Sequence, residues 1–383
     1  MNALHHLRQF SRARCVAMMV KEFIQMRRDR MTFAMMVGVP VMQLMLFGFA
    51  INSDPKHLPT ALHIAEPSPF ARDLVEALAN SGYFQFTHSV DNPARLEWLL
   101  AANQVQFALT IPVGFAAAVQ RGERPVVLLE ADATDPAATG NALGALATVN
   151  RTALDRDLTG ALAALKDPGP PFEVRVHRRY NPDAITQYNI VPGLMGVILT
   201  MTGVMLTALA VTRERERGTM ENLLAMPLRP TEVMIGKIVP YIIIGYVQVT
   251  IVLLAAHFIF KVPMIGSLWL LSAGVLLFIT ANLAVGFTFS TLATNQLQAM
   301  QGTFFFFLPS ILLSGFMFPF RGMPVWAQNI GEILPLTHFL RIVRGILLKG
   351  NGLTEIAPDL WPLALFVAVV TAIALKRYRK TLD

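Results

Sequence analysis

Eight histidines, one cysteine and 25 carboxylates are the groups in this 383-residue chain that could carry acid–base, nucleophilic or metal chemistry. Such work needs several of them converging at fixed spacing. His63, His88 and His177 fall in stretches that read as strands, with carboxylates nearby in sequence. No His-x-x-x-His, Gly-x-Ser-x-Gly or Cys–His pattern accompanies them. His5 and His6 are adjacent and form no chelating pair on a helix. A lone Cys15 excludes an internal disulfide and any multi-cysteine metal site. The phosphate-cradling loop Gly-x-x-x-x-Gly-Lys-Ser/Thr is absent too. At the only Gly-Lys pair, Gly236-Lys237, Thr231 stands where the first glycine belongs and Ile238 where the hydroxyl belongs. The histidines read as satisfied core or surface groups. No catalytic, cofactor or metal site is expected, and energy for any uphill work must come from another polypeptide.

The elements that would position such groups are mostly apolar. Hydrophobic residues make up 54% of the chain and charged ones 15%, with mean hydropathy +0.49, against roughly 25% charged in soluble domains. Stretches free of Asp, Glu, Lys and Arg run over 31–53, 184–212, 238–260, 262–320 and 360–375. A spanning helix needs about 20 apolar residues. The 59-residue run 262–320 is too long for one helix, and Thr294-Asn295-Gln296-Leu297-Gln298 is its best turn. Six spans follow, at 31–53, 184–212, 238–260, 266–293, 298–320 and 356–375. Residues 1–30, the loop 213–237 and the tail 376–383 hold 16 of the 32 Lys and Arg residues and fall on one side, which the positive-inside rule makes cytoplasmic. The net charge of +7 is thus assigned to lipid headgroups and topology rather than nucleic acid. The long basic N-terminal stretch and the 23-residue run after it argue against a cleaved signal peptide. Within the charge-free stretches the candidate proton relay is His257, which at the end of the third span reads as interfacial, and this disfavours an ion-coupled carrier.

Residues 54–183 differ. The segment 52–187 carries 11 basic and 15 acidic residues and reads as a folded α/β domain outside the cytoplasm. Strands are expected at 61–65, 84–90, 106–111, 126–130 and 172–177. Helices are expected at 71–80, 93–102 and 115–120, with a longer one at 137–165 after Asp135-Pro136. The fold class is an α-helical polytopic membrane protein with this domain inserted between spans one and two.

Two further segments stand out. Arg213 to Pro227 alternates charge signs before Leu223-Leu224, as a short amphipathic helix at the membrane surface would. The outer segment 321–355 contains Met323-Pro324-Val325-Trp326, with Trp326 as an interfacial anchor. Its stretch 333–348 reads as a helix half-sunk in the outer leaflet, with Arg341 and Arg344 at headgroup level. In span two, Gly196, Thr200, Gly203 and Thr207 recur on one face. That face suits close helix packing within the chain, or a seam with a second subunit or a transport path. Phe304–Phe307 covers a whole helix turn and mostly faces lipid, and Pro309 would kink span five.

Nearly the whole chain resembles the permease subunits of type-2 ABC exporters, the ABC-2 class. Lys21-Glu22-Phe23 with Arg27-Arg28-Asp29-Arg30 resembles the family's connecting helix, and Pro40 with Phe47-Gly48-Phe49-Ala50 its first span. Glu214 to Pro227, Arg229-Pro230-Thr231-Glu232 and Gly236-Lys237-Ile238 resemble its cytoplasmic loop. Ser314 through Pro319, Met323-Pro324, Pro335-Leu336-Thr337, Arg344-Gly345 and Lys349-Gly350 resemble its outer re-entrant segment. The large outer domain fits the multidrug-type subgroup that works with a periplasmic adaptor.

The resemblance implies a half-transporter in a bacterial inner membrane. It would pair with an identical or paralogous permease and with ATP-binding cassette subunits that hold the ATP and magnesium. Coupling would fall on Glu22, Arg27 and Arg28 and on Glu214, Glu216, Arg217, Gly218, Thr219, Glu221, Pro227 and Lys237. Pro319, Met323, Pro324, Trp326, Pro335 and Arg344 would build the outer segment. A neutral path leans toward hydrophobic or amphiphilic cargo. The competing reading is a membrane-anchored assembly or receptor-like protein whose outer domain binds partners without transport.

Overall fold

The computed structural model describes residues 54–166, 169–216 and 230–380. The connecting helix with Glu22, Arg27 and Arg28, the first expected span, and the loop residues Arg217, Gly218, Thr219, Glu221 and Pro227 lie outside them.

The first part is a five-stranded mixed sheet. Its strands are β1 (Leu58–Ile64), β2 (Phe84–Ser89), β3 (Phe107–Ile111), β4 (Val126–Asp132) and β5 (Glu173–Arg179), in the order β2-β1-β3-β4-β5. Only the β3–β4 pair is antiparallel. All five strands fall where the alternating runs put them. Helices α1 (Pro69–Asn80), α2 (Pro93–Ala101) and α4 (Pro136–Thr152) begin alike: Ser68, Asn92 or Asp135 accepts a backbone N–H from the first turn, and proline follows. The side-chain acceptor satisfies an orphan donor, and proline has no N–H there to lose.

The sheet is covered on both faces. Phe107, Leu109 and Ile111 of β3 pack with α1, α4 and α3 (Phe115–Gln120), and Ala61 and Ala108 pack with Leu96, Leu99 and Leu100 of α2. The helix expected over 137–165 stops at Thr152, and a separate 3-10 turn spans Gly160–Lys166. Asp155 and Asp157 interrupt the apolar pattern there, and Leu154 and Leu158 still reach the core across the break.

The second part is helical: α5 (Thr186–Glu216), α6 (Pro230–Phe258), α7 (Leu268–Leu292), α8 (Gln296–Leu313), α9 (Val325–Gly331), α10 (Pro335–Arg344) and α11 (Leu353–Lys380). Four of the described helices are long and apolar enough to cross a membrane, over Thr186–Ala210, Val239–Phe258, Leu268–Leu292 and Leu353–Ala374. The 59-residue run turns where its amides cluster: Asn295 caps α8, and the Gln298 side chain accepts from the Thr294 N–H and hydroxyl. The helix expected over 298–320 ends at Leu313, because Gly315 takes a left-handed conformation at φ +82° and turns the chain.

The bundle core forms around α7. Phe278 of α7 stacks on Phe339 of α10 at 4.1 Å, nearly parallel. Polar links cross the bundle where hydrophobic contact adds little between helices: the Thr202 hydroxyl donates to Gln248 at 3.0 Å, and the Tyr246 hydroxyl to the Ser272 carbonyl at 2.9 Å.

The half-sunk helix over 333–348 is a correction. Helix α10 starts at Pro335, runs into a π-helical turn at Gly345–Lys349, and buries eight of its ten residues. An amphipathic stripe with two arginines reads the same whether headgroups or protein carboxylates meet it. Protein carboxylates meet Arg341, which forms a two-bond fork with Glu332 at 2.6 and 3.0 Å and reaches Asp359 at 3.3 Å, while Arg344 donates to neutral protein oxygens.

Candidate functional site

Two places tie distant parts of the chain together with charged or polar groups. The first is the far end of α5. Its last residue, Glu216, accepts the backbone N–H of Gln296 at 2.7 Å and is hydrogen-bonded to the Gln296 side-chain amide. A carboxylate at a helix N-terminus meets unpaired N–H groups and the positive end of the dipole. These bonds from Gln296 hold the Glu216 carboxyl below its ordinary range. The expected charged segment begins on α5, so its first part is helix; Glu214 and Lys237 lie on α5 and α6, and Glu216 grips α8.

The second place is the junction of the sheet with the segment 314–351. The π-helical turn ends at Gly350, left-handed at φ +72°, and delivers Lys349 into the edge of the α/β unit. Its ammonium lies 2.6 Å from Asp132 Oδ2, 2.5 Å from Asn103 Oδ1 and 3.0 Å from the Leu100 carbonyl. The Lys349 and Asp132 side chains are only 1% and 3% exposed. Asn351 donates to the Ala101 carbonyl at 2.8 Å, and Arg321 to the Asn103 carbonyl at 3.3 Å. Arg344 donates to Asn189 Oδ1 at 2.7 Å and to the Gly315 carbonyl at 3.2 Å, and Asn189 donates to the Thr134 carbonyl at 2.9 Å. The first turn of α5, the end of β4 and the end of α10 thus meet through one arginine and one asparagine.

Burial dominates the electrostatics here. It pulls the Arg344 guanidinium below its ordinary range against the opposing fields of Asp135 and Asp132. It pushes the Asp135 carboxyl up, against Arg344 and the N–H groups of Ala137 and Ala138. Below this layer, His338 is held between Asp359 (Nδ1 to Oδ1, 2.9 Å) and the Glu332 carbonyl (Nε2, 2.8 Å), which fastens α10 to α11.

The expected outer-segment residues scatter around this junction. Pro319 precedes a 3-10 turn, Pro324 precedes α9, Pro335 opens α10, and Arg344 closes it at the junction itself. Met323 is buried, whereas Trp326 is 42% exposed. The small-residue face of α5 is turned inward. A side chain at Gly196 would meet Leu336 and Phe339 of α10, and one at Gly203 would meet Asn282 of α7. Thr200 and Thr207 are buried and donate to the Gly196 and Gly203 carbonyls. Phe304 and Phe305 are exposed, and Phe306 and Phe307 are half-buried. Asp132, Asn103, Asn189 and His338 were not expected as site residues. The available signal was weak: an aspartate ending an otherwise apolar strand, and a lysine next to glycine.

The family model described as ABC-2 family transporter protein matches residues 30–376. The chain is 33% identical over 342 residues to the "Probable multidrug ABC transporter permease YbhS" of Escherichia coli, covering 88% of each protein. It is 28% identical over 360 residues to the "Probable multidrug ABC transporter permease YbhR" of the same organism, covering 94% of this chain and 96% of that one. The "Inner membrane transport permease YhhJ" of Escherichia coli is 31% identical over 74% of this chain and 75% of its own length.

Proposed function

This chain belongs to the ABC-2 family of transporter proteins, and from that membership we propose that it is the membrane half of an ATP-driven exporter in a bacterial inner membrane. As a permease subunit it is not itself an enzyme; ATP hydrolysis lies in a partner subunit. In this reading two permeases, identical or paralogous, pair and receive ATP-binding subunits on their cytoplasmic faces. The α/β unit faces the periplasm, where an adaptor protein docks. The cargo is hydrophobic or amphiphilic, a drug or a lipid, in keeping with the word multidrug in the names of two relatives and with the long charge-free stretches of the helices.

One observation carries the mechanical part: the Glu216 clasp on α8. A push on the loop after Glu216 moves the end of α5, and through the clasp the start of α8. The other end of α8 leads through Gly315 to Arg344. Helices shifted as rigid rods against a bistable outer segment give two states that ATP binding can bias.

The test is purification of the chain from its native host, with ATPase turnover and co-purification measured for Glu214→Gln, Glu221→Gln and Glu355→Gln. A stoichiometric ATP-binding protein should accompany the chain. Glu214→Gln should lower turnover strongly without loss of expression, Glu221→Gln should lower it less, and Glu355→Gln should leave it unchanged. Reproducible absence of an ATPase would favour the anchored-receptor reading, and wild-type turnover in Glu214→Gln would remove the loop from the coupling surface.

A further inference from the structure

Between the α/β unit and the segment 314–344 lies a cavity of about 90 Å³, whose charged lining residues are Asp132, Asp135, Arg321, Arg341 and Arg344. Not every charge around it is paired. Asp132 is taken up by Lys349 and by the Thr134 N–H and hydroxyl. Asp135 caps α4, and Arg341 is engaged by Glu332 and Asp359. Neither Arg321 nor Arg344 forms a salt bridge among the described residues; each donates only to neutral oxygens. The Arg344 Nε is enclosed and has no hydrogen-bond partner. A buried N–H left so is costly, and a guanidinium fork fits oxyanions such as phosphate.

Beside this cavity runs a cleft of about 240 Å³, walled by Ile190 at the start of α5 and by Phe316, Met317 and Phe318. The two share Asp135, and Asn189, which lines the cleft, is the residue that holds Arg344. Ile190 and Met317 are 41% and 56% exposed. The cleft lies where the candidate span Thr186–Ala210 begins, which for a helix crossing a bilayer is the level at which headgroups give way to hydrocarbon.

We propose that this pair of spaces binds one anionic phospholipid, its phosphate against Arg321 and Arg344 and its chain in the cleft along Ile190 and Met317. A phosphate would give both arginines a charged acceptor. A free phosphate ion would leave the apolar cleft unfilled, so the tail is part of the fit. The inference concerns binding alone and stands whether or not the chain exports anything.

Binding of dioctanoyl phosphatidylglycerol to the full chain in neutral detergent tests it, read as a mass shift by native mass spectrometry. The wild type should take up one lipid saturably. Arg321→Gln, at an exposed position, and Arg344→Gln should each weaken binding roughly tenfold or more, as loss of a hydrogen bond to a charged group does. Met317→Glu should weaken it as well. Asp135→Asn keeps a helix-capping oxygen and removes a like charge that no salt bridge offsets among the described residues, so it should bind more tightly, an effect that general destabilisation does not produce. Arg175→Gln, at an exposed position on β5 that does not line the cavity, should match the wild type. The proposal is overturned by absence of saturable one-to-one binding, or by wild-type affinity in Arg321→Gln. It is equally overturned if inorganic phosphate displaces the lipid at matched concentration, or if uncharged dioctanoylglycerol competes as well as the phospholipid.

Discussion

At the residue scale, the junction depends on Lys349. Its ammonium is buried against Asp132 and two neutral oxygens, so removing either charge strands the other in a poorly solvated site. Removal of one partner from a buried pair costs about 3–5 kcal/mol, while replacing both with apolar groups of similar size is often neutral. Lys349→Met should therefore lower the thermal midpoint of the full chain clearly. The double change Lys349→Met with Asp132→Leu should recover much of the loss. Asp135 acts in the opposite sense. Burial raises its folded-state pKa above that of the unfolded chain, so the native state binds this proton more tightly. Stability then falls as pH rises from the ordinary carboxyl range through the raised native value. Asp135→Asn should stabilise the chain at neutral pH, and the gain should vanish once the medium is acidic enough to protonate the wild-type carboxyl in both states. Thermal melts across pH, wild type against variant, check the sign.

At the scale of elements, α5 is the organising rod. At about 1.5 Å per residue, its 31 residues reach roughly 46 Å, from the sheet to the clasp on α8. It crosses α7 closely enough that a side chain at Gly286 would sit 3.0 Å from Val204 Cα and 2.9 Å from Thr207 Cβ, and would clash with the Val204 carbonyl. Backbone cannot retreat as a flexible side chain does. Gly286→Ala should cost roughly 1–3 kcal/mol, the scale of overpacking, whereas Gly302→Ala, whose new methyl would lie 3.6 Å from the Phe289 ring, should cost far less. Detergent-solubilised melting curves of the two variants separate these outcomes. The repeating glycine–threonine face of α5 was legible as a packing face, but which helices it meets was not, because small residues permit approach without choosing a partner.

At the scale of the whole molecule, the sheet has its own core, built from Phe84, Phe107, Phe115 and Phe172 and covered on both faces. Among the described residues, its hydrogen bonds to the helical part come from Lys349, Asn351, Arg321 and Asn189. A unit of residues 54–182 should fold alone and give a mixed α/β circular dichroism spectrum. An aggregated product would mean that the junction, rather than the core, holds it together. The helices behave otherwise. The candidate spans Val239–Phe258 and Leu353–Ala374 are only 17% buried within the chain, so their outward faces meet lipid or another subunit.

The sequence by itself determined much that depends on local pattern. Alternation and capping placed the five strands and the starts of α2 and α4. Charge-free length marked the four apolar spans, and the amide cluster at 294–298 marked the turn between α7 and α8. Such features are written in neighbouring residues, and one period or one proline decides them. Only the tertiary structure decided what α10 is. Arg341 and Arg344 carry a pattern that either a headgroup layer or protein carboxylates can satisfy, and the carboxylates that meet Arg341 come from Glu332 and Asp359 on other elements. The same holds for Lys349, whose partner Asp132 lies 217 residues away. A buried charge is tolerated only where the fold brings its counter-charge, and that pairing exists in space and in no stretch of sequence.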